Sequence, residues 1–359
     1  MKNRNINLDY IRAFALIFVV SIHSFLHIDY YSQPNEGMLM LLLSCLRILL
    51  NTCVPLFLIL SGFLQVSKIP TKEYYLKFIY IYLIYIACGM GCQIYIFVFQ
   101  NESFKLRESM ISFISFRASP YGWYVGMYFG LYLIIPFINL LLKELSNKQV
   151  LVLLGSLIII TILPSLFNNM DLENIKWWQG TKDHYFMVVD DFWTGFYPVT
   201  FYIIGYVINK NREKIIEKRY LYYVLVPIQM ILYGIYNYAR NYGSQFPWTT
   251  ECTYNGYQSL LMSTCVFCMI ISVNLKNNGF SASVVKFLAK HSLSIYLLSY
   301  ASDSAVYHIS GRIVNSFCYR AYTIPITVFL SIVIASIPSV IVVKLAAYLY
   351  AKFQNKFCC

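Results

Sequence analysis

Apolar runs long enough to cross a lipid bilayer recur from one end of this 359-residue chain to the other. A helix needs about 20 mainly apolar residues to span the hydrocarbon core, where only helices and closed barrels satisfy the backbone. The pattern predicts an all-α, polytopic membrane helix bundle of about ten transmembrane helices. The ten runs are residues 9–28, 38–66, 74–99, 120–142, 149–166, 195–209, 220–238, 256–275, 284–308 and 322–350.

Composition agrees with one integral-membrane domain over residues 1–359. The chain is 58% hydrophobic and 12% charged, about half the charge of a typical soluble domain. Its net charge of +12 would suit nucleic acid, but the charges fall in short loops between apolar runs, so we expect a lipid bilayer and no nucleic acid as partner. Cys265 and Cys268 lie inside an apolar run without a second pair nearby. We therefore read them as small core residues and expect no metal site.

The distribution of lysine and arginine predicts the orientation. With the N-terminus inside, the inside loops and tails hold sixteen Lys and Arg residues and the outside loops hold eight. The strongest marker is the basic segment NKNREKIIEKR at residues 209–219. Because cytoplasmic loops carry the excess of positive charge, both termini are predicted to be cytoplasmic.

The first run carries ionisable residues at membrane depth. Arg12 and His23 are eleven residues apart, which is three turns plus about 20° and a rise of roughly 16 Å, so they share one stripe of a helix. Asp9 lies one turn before Arg12 and is expected to pair with it. In the structural reading, Arg12 reaches the lipid headgroups and His23 bonds a neighbouring carbonyl. In the functional reading, which the cost of such residues in lipid favours, they mark a site near mid-membrane.

The second run contains a further cation and a helix breaker. Pro55 should kink the helix, and the freed carbonyls together with Asn51 would make a polar notch. Arg47 is the second intramembrane cation of the chain. Gly62 permits a neighbouring helix to approach closely, and so does the repeat of Gly122, Gly126 and Gly130 in the fourth run, which predicts a smooth face for another helix.

Aromatic and acidic residues cluster on the side predicted to be outside. They fit either an interfacial aromatic belt or a sugar-binding surface, where flat rings stack and carboxylates accept hydroxyl groups. In the ninth run, Tyr296, Ser299 and Asp303 form one polar side, and we expect His291 to be solvated at the inner surface. The candidate substrate-binding residues are Trp123, Tyr124, Asp190, Asp191, Trp193 and Tyr296. The long predicted outside loop at 167–194, which contains Asp190 and Asp191, also holds Trp177, Trp178 and His184.

Six strings, in this order and spacing, resemble the acyltransferase-3 family of bacterial membrane O-acyltransferases. They are LDYIRAFALIFVVSIH (8–23), VPLFLILSGFL (54–64), YYLKFIYIYLIY (74–85), GWYVGMYFGLYLIIP (122–136), FYIIGYVIN (201–209) and SLSIYLL (292–298). The resemblance implies a multi-pass protein of the bacterial cytoplasmic membrane. It also implies transfer of an acetyl group from cytoplasmic acetyl-CoA, a donor substrate rather than a bound cofactor, to a hydroxyl of a surface polysaccharide or lipid-linked sugar.

In this reading His23 is the catalytic base or carries the acyl group, and Arg12 holds a CoA phosphate or orients the thioester. Arg47 or Lys77 would add positive charge for the donor. The chain departs from the family pattern twice, because Lys77 is the lone cation of the third-run string and Ser299 stands where a histidine often follows SLSIYLL. A transporter or flippase for a polysaccharide precursor is the alternative, a non-catalytic partner in envelope assembly is a third, and a homo-oligomer is possible.

The predicted orientation can be tested with reporter fusions to the full chain. A fluorescent protein that matures only in the cytoplasm should fluoresce at the C-terminus and when inserted in residues 209–219. Alkaline phosphatase should be active only when inserted in the loop at 167–194. Active phosphatase in 209–219 would invert the assignment.

Overall fold

The computed structural model describes residues 5–100, 105–168, 187–246 and 253–357. Within these ranges the secondary structure is helical and contains no β-strand. The helices are α1 (Ile6–His27), α2 (Gly37–Leu50), α3 (Cys53–Leu64), α4 (Lys72–Phe99), α5 (Leu106–Ile114), α6 (Trp123–Glu144), α7 (Asn147–Thr161), α8 (Pro164–Phe167), α9 (Tyr197–Lys210), α10 (Arg212–Glu217), α11 (Arg219–Arg240), α12 (Tyr257–Ser272), α13 (Phe280–Ile313) and α14 (Phe317–Phe357).

Every one of the ten predicted runs is helical, which confirms the all-α class. Six segments of the described chain are both long and apolar enough to cross a membrane, by length and composition. They are Ile6–His27, Gly37–Leu64, Lys72–Phe99, Trp123–Glu144, Asn147–Phe167 and Phe317–Asn355. The protein is thus a multi-pass helical membrane protein, while the number of ten and the cytoplasmic placement of both termini stay predictions.

The second run breaks where its proline predicts. α2 ends at Leu50 and α3 begins at Cys53. Pro55 lies in the first turn of α3, where its missing N–H leaves no intrahelical bond unmade. The predicted polar notch is present, because the Asn51 side-chain amide donates to the Ser259 hydroxyl at 2.7 Å. The break therefore gives α12 a polar anchor on the second run.

The described helices form two compact units, each built from two separate stretches of chain. The first unit comprises Met1–Val66 and Leu141–Lys286, and the second comprises Ser67–Leu140 and Phe287–Cys359. In the first unit α3 packs on α9, α2 packs on α11, and α1 lies against α2, α3 and α12. In the second unit α4 packs on α14 and α5. The single domain over residues 1–359 stays a prediction.

Glycine sets the separation of α3 and α9. A Cβ at Gly62 would overlap the carbonyl oxygen of Tyr202, and a Cβ at Gly205 would overlap the carbonyl oxygen of Ile59. Each helix backbone thus lies directly on the other, as in close helix pairs in membranes. The close approach predicted for Gly62 is confirmed.

The glycine repeat of α6 behaves differently from its prediction. Gly126 faces the ring of Phe116, and a Cβ at Gly122 would press on the Phe116 carbonyl oxygen. Gly130 has open space beside it. The expectation of a smooth face for a neighbouring helix is therefore wrong, because an aromatic side chain from the preceding loop occupies it.

The α3–α9 contact predicts a sharp difference between two glycine substitutions. Gly205→Ala should destabilise the protein by about 1–3 kcal/mol, because the added methyl group has no room. The control Gly155→Ala lies in α7 of the same unit with nothing within 4 Å, so it should be neutral or slightly stabilising. The fraction of detergent-solubilised protein that stays monodisperse after heating measures this, and equal melting of both variants would contradict it.

Candidate functional site

The first turns of α1 hold a polar cluster of Asn7, Asp9 and Arg12. The Asn7 side-chain amide donates to the carbonyl oxygens of Ile270 at 2.8 Å and Val273 at 2.7 Å. It thereby caps the last turn of α12, whose terminal carbonyls have no intrahelical donors. Sequence reasoning missed this role, since the only local signal is an asparagine at the start of an apolar helix.

Asp9 and Arg12 form the ion pair expected from their spacing. The Arg12 Nη1 to Asp9 Oδ1 distance is 3.4 Å. The Asp9 side chain is 3% exposed while that of Arg12 is 33% exposed. The ion pair therefore joins a buried carboxylate to a guanidinium that stays one-third exposed.

His23 lies buried on the same stripe of α1 as Arg12. At 100° per residue, His23 and Arg12 lie about 180° and 160° from Phe14, which is exposed and forms a ring stripe with Tyr10 and Phe18. The stripe thus faces the protein and the aromatic side faces outward. His23 is four residues from the end of α1, or about 6 Å. It therefore lies close to one end of the helix, whereas the sequence pattern predicted a position near mid-membrane.

A second histidine accompanies His23. His27 lies one turn further along α1, half-buried, and close enough for the two imidazoles to interact electrostatically. Sequence reasoning missed His27, although its i+4 spacing from His23 was a usable signal. The last turns of α1 therefore present two imidazoles rather than one.

Arg47 is fully buried in an aromatic environment. Its Nε donates to the Tyr31 hydroxyl at 3.2 Å, and its guanidinium carbon lies 4.3 Å from the Phe246 ring centroid. A guanidinium stacks on aromatic faces and is attracted by their negative π surface. Tyr31 follows the end of α1 by four residues, so Arg47 lies near the end of α1 that carries His23, not the end that carries Arg12.

Two loops cover Arg47 and are joined to each other. The backbone N–H of Asn35 donates to the Ser244 carbonyl at 2.8 Å, and the Asn35 side-chain amide donates to the same oxygen at 3.0 Å. Gly243 adopts φ +73° and donates back to the Asn35 carbonyl at 3.4 Å. A left-handed residue is most readily glycine. The loops after α1 and α11 are thus clamped together over the arginine.

The polar side predicted for α13 is present in the second unit. Asp303 is fully buried and accepts a hydrogen bond from the Tyr121 hydroxyl at 3.3 Å and another from Ser331. The Tyr296 hydroxyl donates to the Tyr121 carbonyl. Asp303 is therefore a satisfied carboxylate that ties α13 to α14 and to the segment before α6.

The other predicted residues of the second unit differ in their burial and in their contacts. Tyr124 lies edge-on to Tyr296 at 6.2 Å, so these two are brought together. Trp123 and Lys77 are exposed. His291 is only 5% exposed and stacks on Phe287. The expectation of a solvated histidine is wrong, because this face of α13 packs on α14, where the Ser339 hydroxyl lies 3.5 Å from His291 Nδ1.

The acidic residues before α9 are held by hydrogen bonds within their own segment. Asp190 Oδ1 accepts the backbone N–H of Phe192 at 2.7 Å, and the Asp191 carbonyl accepts the Thr194 hydroxyl at 2.8 Å. Trp193 is half-exposed beside Phe192, with ring centroids 5.7 Å apart. Trp177, Trp178 and His184 lie outside the described residues.

The predicted site residues are divided between the two units. The described residues contain no group of three His, Cys, Asp or Glu side chains able to hold a metal ion. The first unit holds Arg12, His23, Arg47, Asp190, Asp191 and Trp193, and the second holds Lys77, Trp123, Tyr124 and Tyr296.

Taken together, the apolar helices and the buried ionisable groups of α1 define a multi-pass membrane protein with a polar site on its first helix. The chain matches the family model for the acyltransferase domain of acyltransferase-3 over residues 5–345. It therefore belongs to the acyltransferase-3 family, which confirms the resemblance and supports an acyltransferase. Comparison with curated proteins and with solved structures gives no match.

The surroundings of Arg47 predict a structural effect of its substitution. Arg47→Lys should lower the stability by about 2 kcal/mol, because an ammonium reproduces neither the stacking on Phe246 nor the planar donor. The control Arg219→Lys replaces an exposed arginine that also contacts a tyrosine hydroxyl and ring, and should change little. Weakened acetyl-CoA binding with unchanged thermal stability would instead support the donor-binding role expected from the sequence.

Proposed function

We propose that this protein is a membrane O-acetyltransferase of the bacterial cytoplasmic membrane. In this proposal acetyl-CoA enters from the cytoplasm, and the acceptor is a hydroxyl of a surface polysaccharide or a lipid-linked sugar. The observation that carries the proposal is the inward-facing stripe of α1, which has a partly exposed arginine at one end and, at the other, one buried and one half-buried imidazole. Membership of the acyltransferase-3 family gives the reaction class.

The imidazole of His23 supplies the base that acyl transfer to a hydroxyl needs. Neutral imidazole takes up and returns a proton near neutrality. In the proposed step His23 accepts the hydroxyl proton while the sugar oxygen bonds to the thioester carbon. The C–S bond then breaks, and the departing thiolate of CoA takes up the proton. The variant in which His23 itself carries the acetyl group gives the same products.

Arg12 is proposed to hold the donor. A guanidinium binds phosphate oxygens in bidentate fashion, and Asp9 fixes the position of this side chain without burying it. The rise of roughly 16 Å between Arg12 and His23 suits a donor whose phosphates and thioester are joined by a long flexible arm. Lys77, exposed near the start of α4, stays a candidate for a further phosphate contact.

Transport of a polysaccharide precursor is the rival function. A transporter also needs charges at membrane depth, but it has no use for a general base and would not bind acetyl-CoA. The family membership favours acyl transfer. Binding of acetyl-CoA by the purified protein, with release of CoA in the presence of acceptor, separates the two.

Substitution of His23 and Arg12 tests the mechanism. His23→Ala should reduce acetyl transfer by about 100-fold or more, the usual contribution of a general base. Arg12→Lys should weaken acetyl-CoA binding by about tenfold, because lysine keeps the positive charge but loses one of the two hydrogen bonds that a guanidinium donates to a phosphate. Mass analysis of surface glycans measures the acetyl groups, and binding of labelled acetyl-CoA measures donor affinity.

Matched controls come from exposed residues of the same types. His308→Ala and Arg212→Lys remove an exposed imidazole and an exposed guanidinium and should leave both readouts unchanged. A His23→Ala protein that inserts, stays monodisperse and still acetylates surface glycans would refute the proposed role of His23.

A further inference from the structure

A cavity of about 200 Å³ opens in the second unit, and none of the residues already assigned roles lines it. It lies between the last turns of α4, the short helix α5 and the segment at residues 115–120. Its lining combines apolar Phe97 with charged and hydrogen-bonding groups. The polar lining residues are Gln93, Lys105, Glu108, Ser109, Ser112 and Arg117.

The polar lining is ordered by its own hydrogen bonds. The Gln93 side-chain amide donates to the Ser112 hydroxyl at 2.6 Å, and that hydroxyl donates to the Ser109 carbonyl at 2.6 Å. Lys105 pairs with Glu108 at 3.0 Å. The cavity thus offers a planar amide and a hydroxyl held by hydrogen bonds, together with a more exposed carboxylate and two exposed cations. Pre-ordered donors and acceptors reduce the entropy lost when a polar ligand binds.

One wall of the cavity is held in a strained conformation. Phe116 has φ +58°, a left-handed conformation that is unusual for a bulky residue. The N–H of Arg117 closes the end of α5 by donating to the Ser112 carbonyl at 2.8 Å. The Phe116 ring packs against Tyr85 and Phe129, with centroids 5.3 and 5.8 Å away. This packing compensates the strain and fixes the direction in which Arg117 leaves the backbone.

The same wall is tied to three helices. The Tyr85 hydroxyl accepts the N–H of Ala118 at 3.0 Å and donates to the Ser112 carbonyl at 3.1 Å. The Ser119 hydroxyl donates to the Leu297 carbonyl at 3.0 Å. These bonds join the segment to α4, α5 and α13. Strained backbone that its surroundings hold in place is concentrated at ligand sites in proteins, and here it borders a polar cavity.

α5 indicates where the cavity lies in the membrane. One side of this helix exposes Leu106, Met110 and Ile114 at four-residue spacing, with the exposed Arg107 beside them. Glu108 and Ser112 line the cavity on the other side. A short helix with one apolar and one polar side lies in the plane of the membrane interface. This pattern would place the cavity at headgroup level, on the side that the predicted topology makes non-cytoplasmic.

We propose that this cavity binds one sugar unit of the acceptor, and this inference rests on the proposed function. Sites for drug-sized ligands are about 300–1,000 Å³, so about 200 Å³ suits a single ring rather than an oligosaccharide. Phe97 provides the apolar face for stacking. Gln93, Glu108 and Arg117 provide hydrogen bonds to hydroxyls, or to an acidic substituent of the sugar. A phospholipid headgroup shares this polyol and anion chemistry and is the competing occupant.

Photo-crosslinking identifies the occupant without relying on catalysis. Benzoylphenylalanine is placed at position 97 of the full chain, cells are irradiated, and the mass added to the protein is analysed for sugar or for glycerophosphate. We expect capture of sugar, in the native background and equally in His23→Ala. Arg117→Gln should reduce the capture about fivefold or more by removing a charged donor.

The matched control is Arg107→Gln. Arg107 is an exposed arginine of α5 that does not line the cavity, so its substitution should leave capture unchanged. Capture of glycerophosphate alone, capture of nothing, or an equal loss in both arginine variants would overturn the proposal. Failure of the proposed function would be recognised separately. It would appear as unaltered glycan acetylation in His23→Ala, whatever molecule position 97 captures.

Discussion

The absence of water inside a bilayer is the constraint on which this structure depends, because each polar group there needs a partner from the protein. The buried amide of Asn7 caps the last turn of α12, and the amide of Asn51 donates to the Ser259 hydroxyl. The carboxylate of Asp303 accepts hydrogen bonds from two hydroxyl groups. Each polar group thus joins two elements that apolar packing alone would leave free to slide. The α1 stripe differs, because the Arg12 side chain stays 33% exposed beside its buried partner Asp9.

Local patterns predicted the features that depend on a few neighbouring residues. The helical class followed from the length of the apolar runs, and the pairing of Asp9 with Arg12 followed from their i,i+3 spacing. The interruption of the second run followed from Pro55, which lacks an N–H. The contact at Gly62 followed from the missing Cβ. In each case the physical cause lies within about one turn of the residue concerned.

Pairing between distant segments could not be read from the sequence. Asn7 and Ile270 are 263 positions apart, and no local signal links them. The aromatic surroundings of Arg47 depend on two loops that meet only in the folded chain. His291 was placed in solvent because its partner Ser339 is 48 positions away on α14. The glycine repeat was expected to face a neighbouring helix because the left-handed turn at Phe116 was not foreseen. The division of the site residues between two units has the same origin.

The construction of each unit from two stretches has a consequence for biosynthesis. α4 ends at residue 99 and its partner α14 begins at residue 317, a separation of 218 residues. At typical rates of about 5–20 residues per second, the ribosome needs roughly 10 to 45 seconds to cover that interval. During this time one side of α4 has no permanent neighbour in the chain. The nascent protein must therefore rely on lipid or on the insertion machinery to shield that side until the last helix emerges.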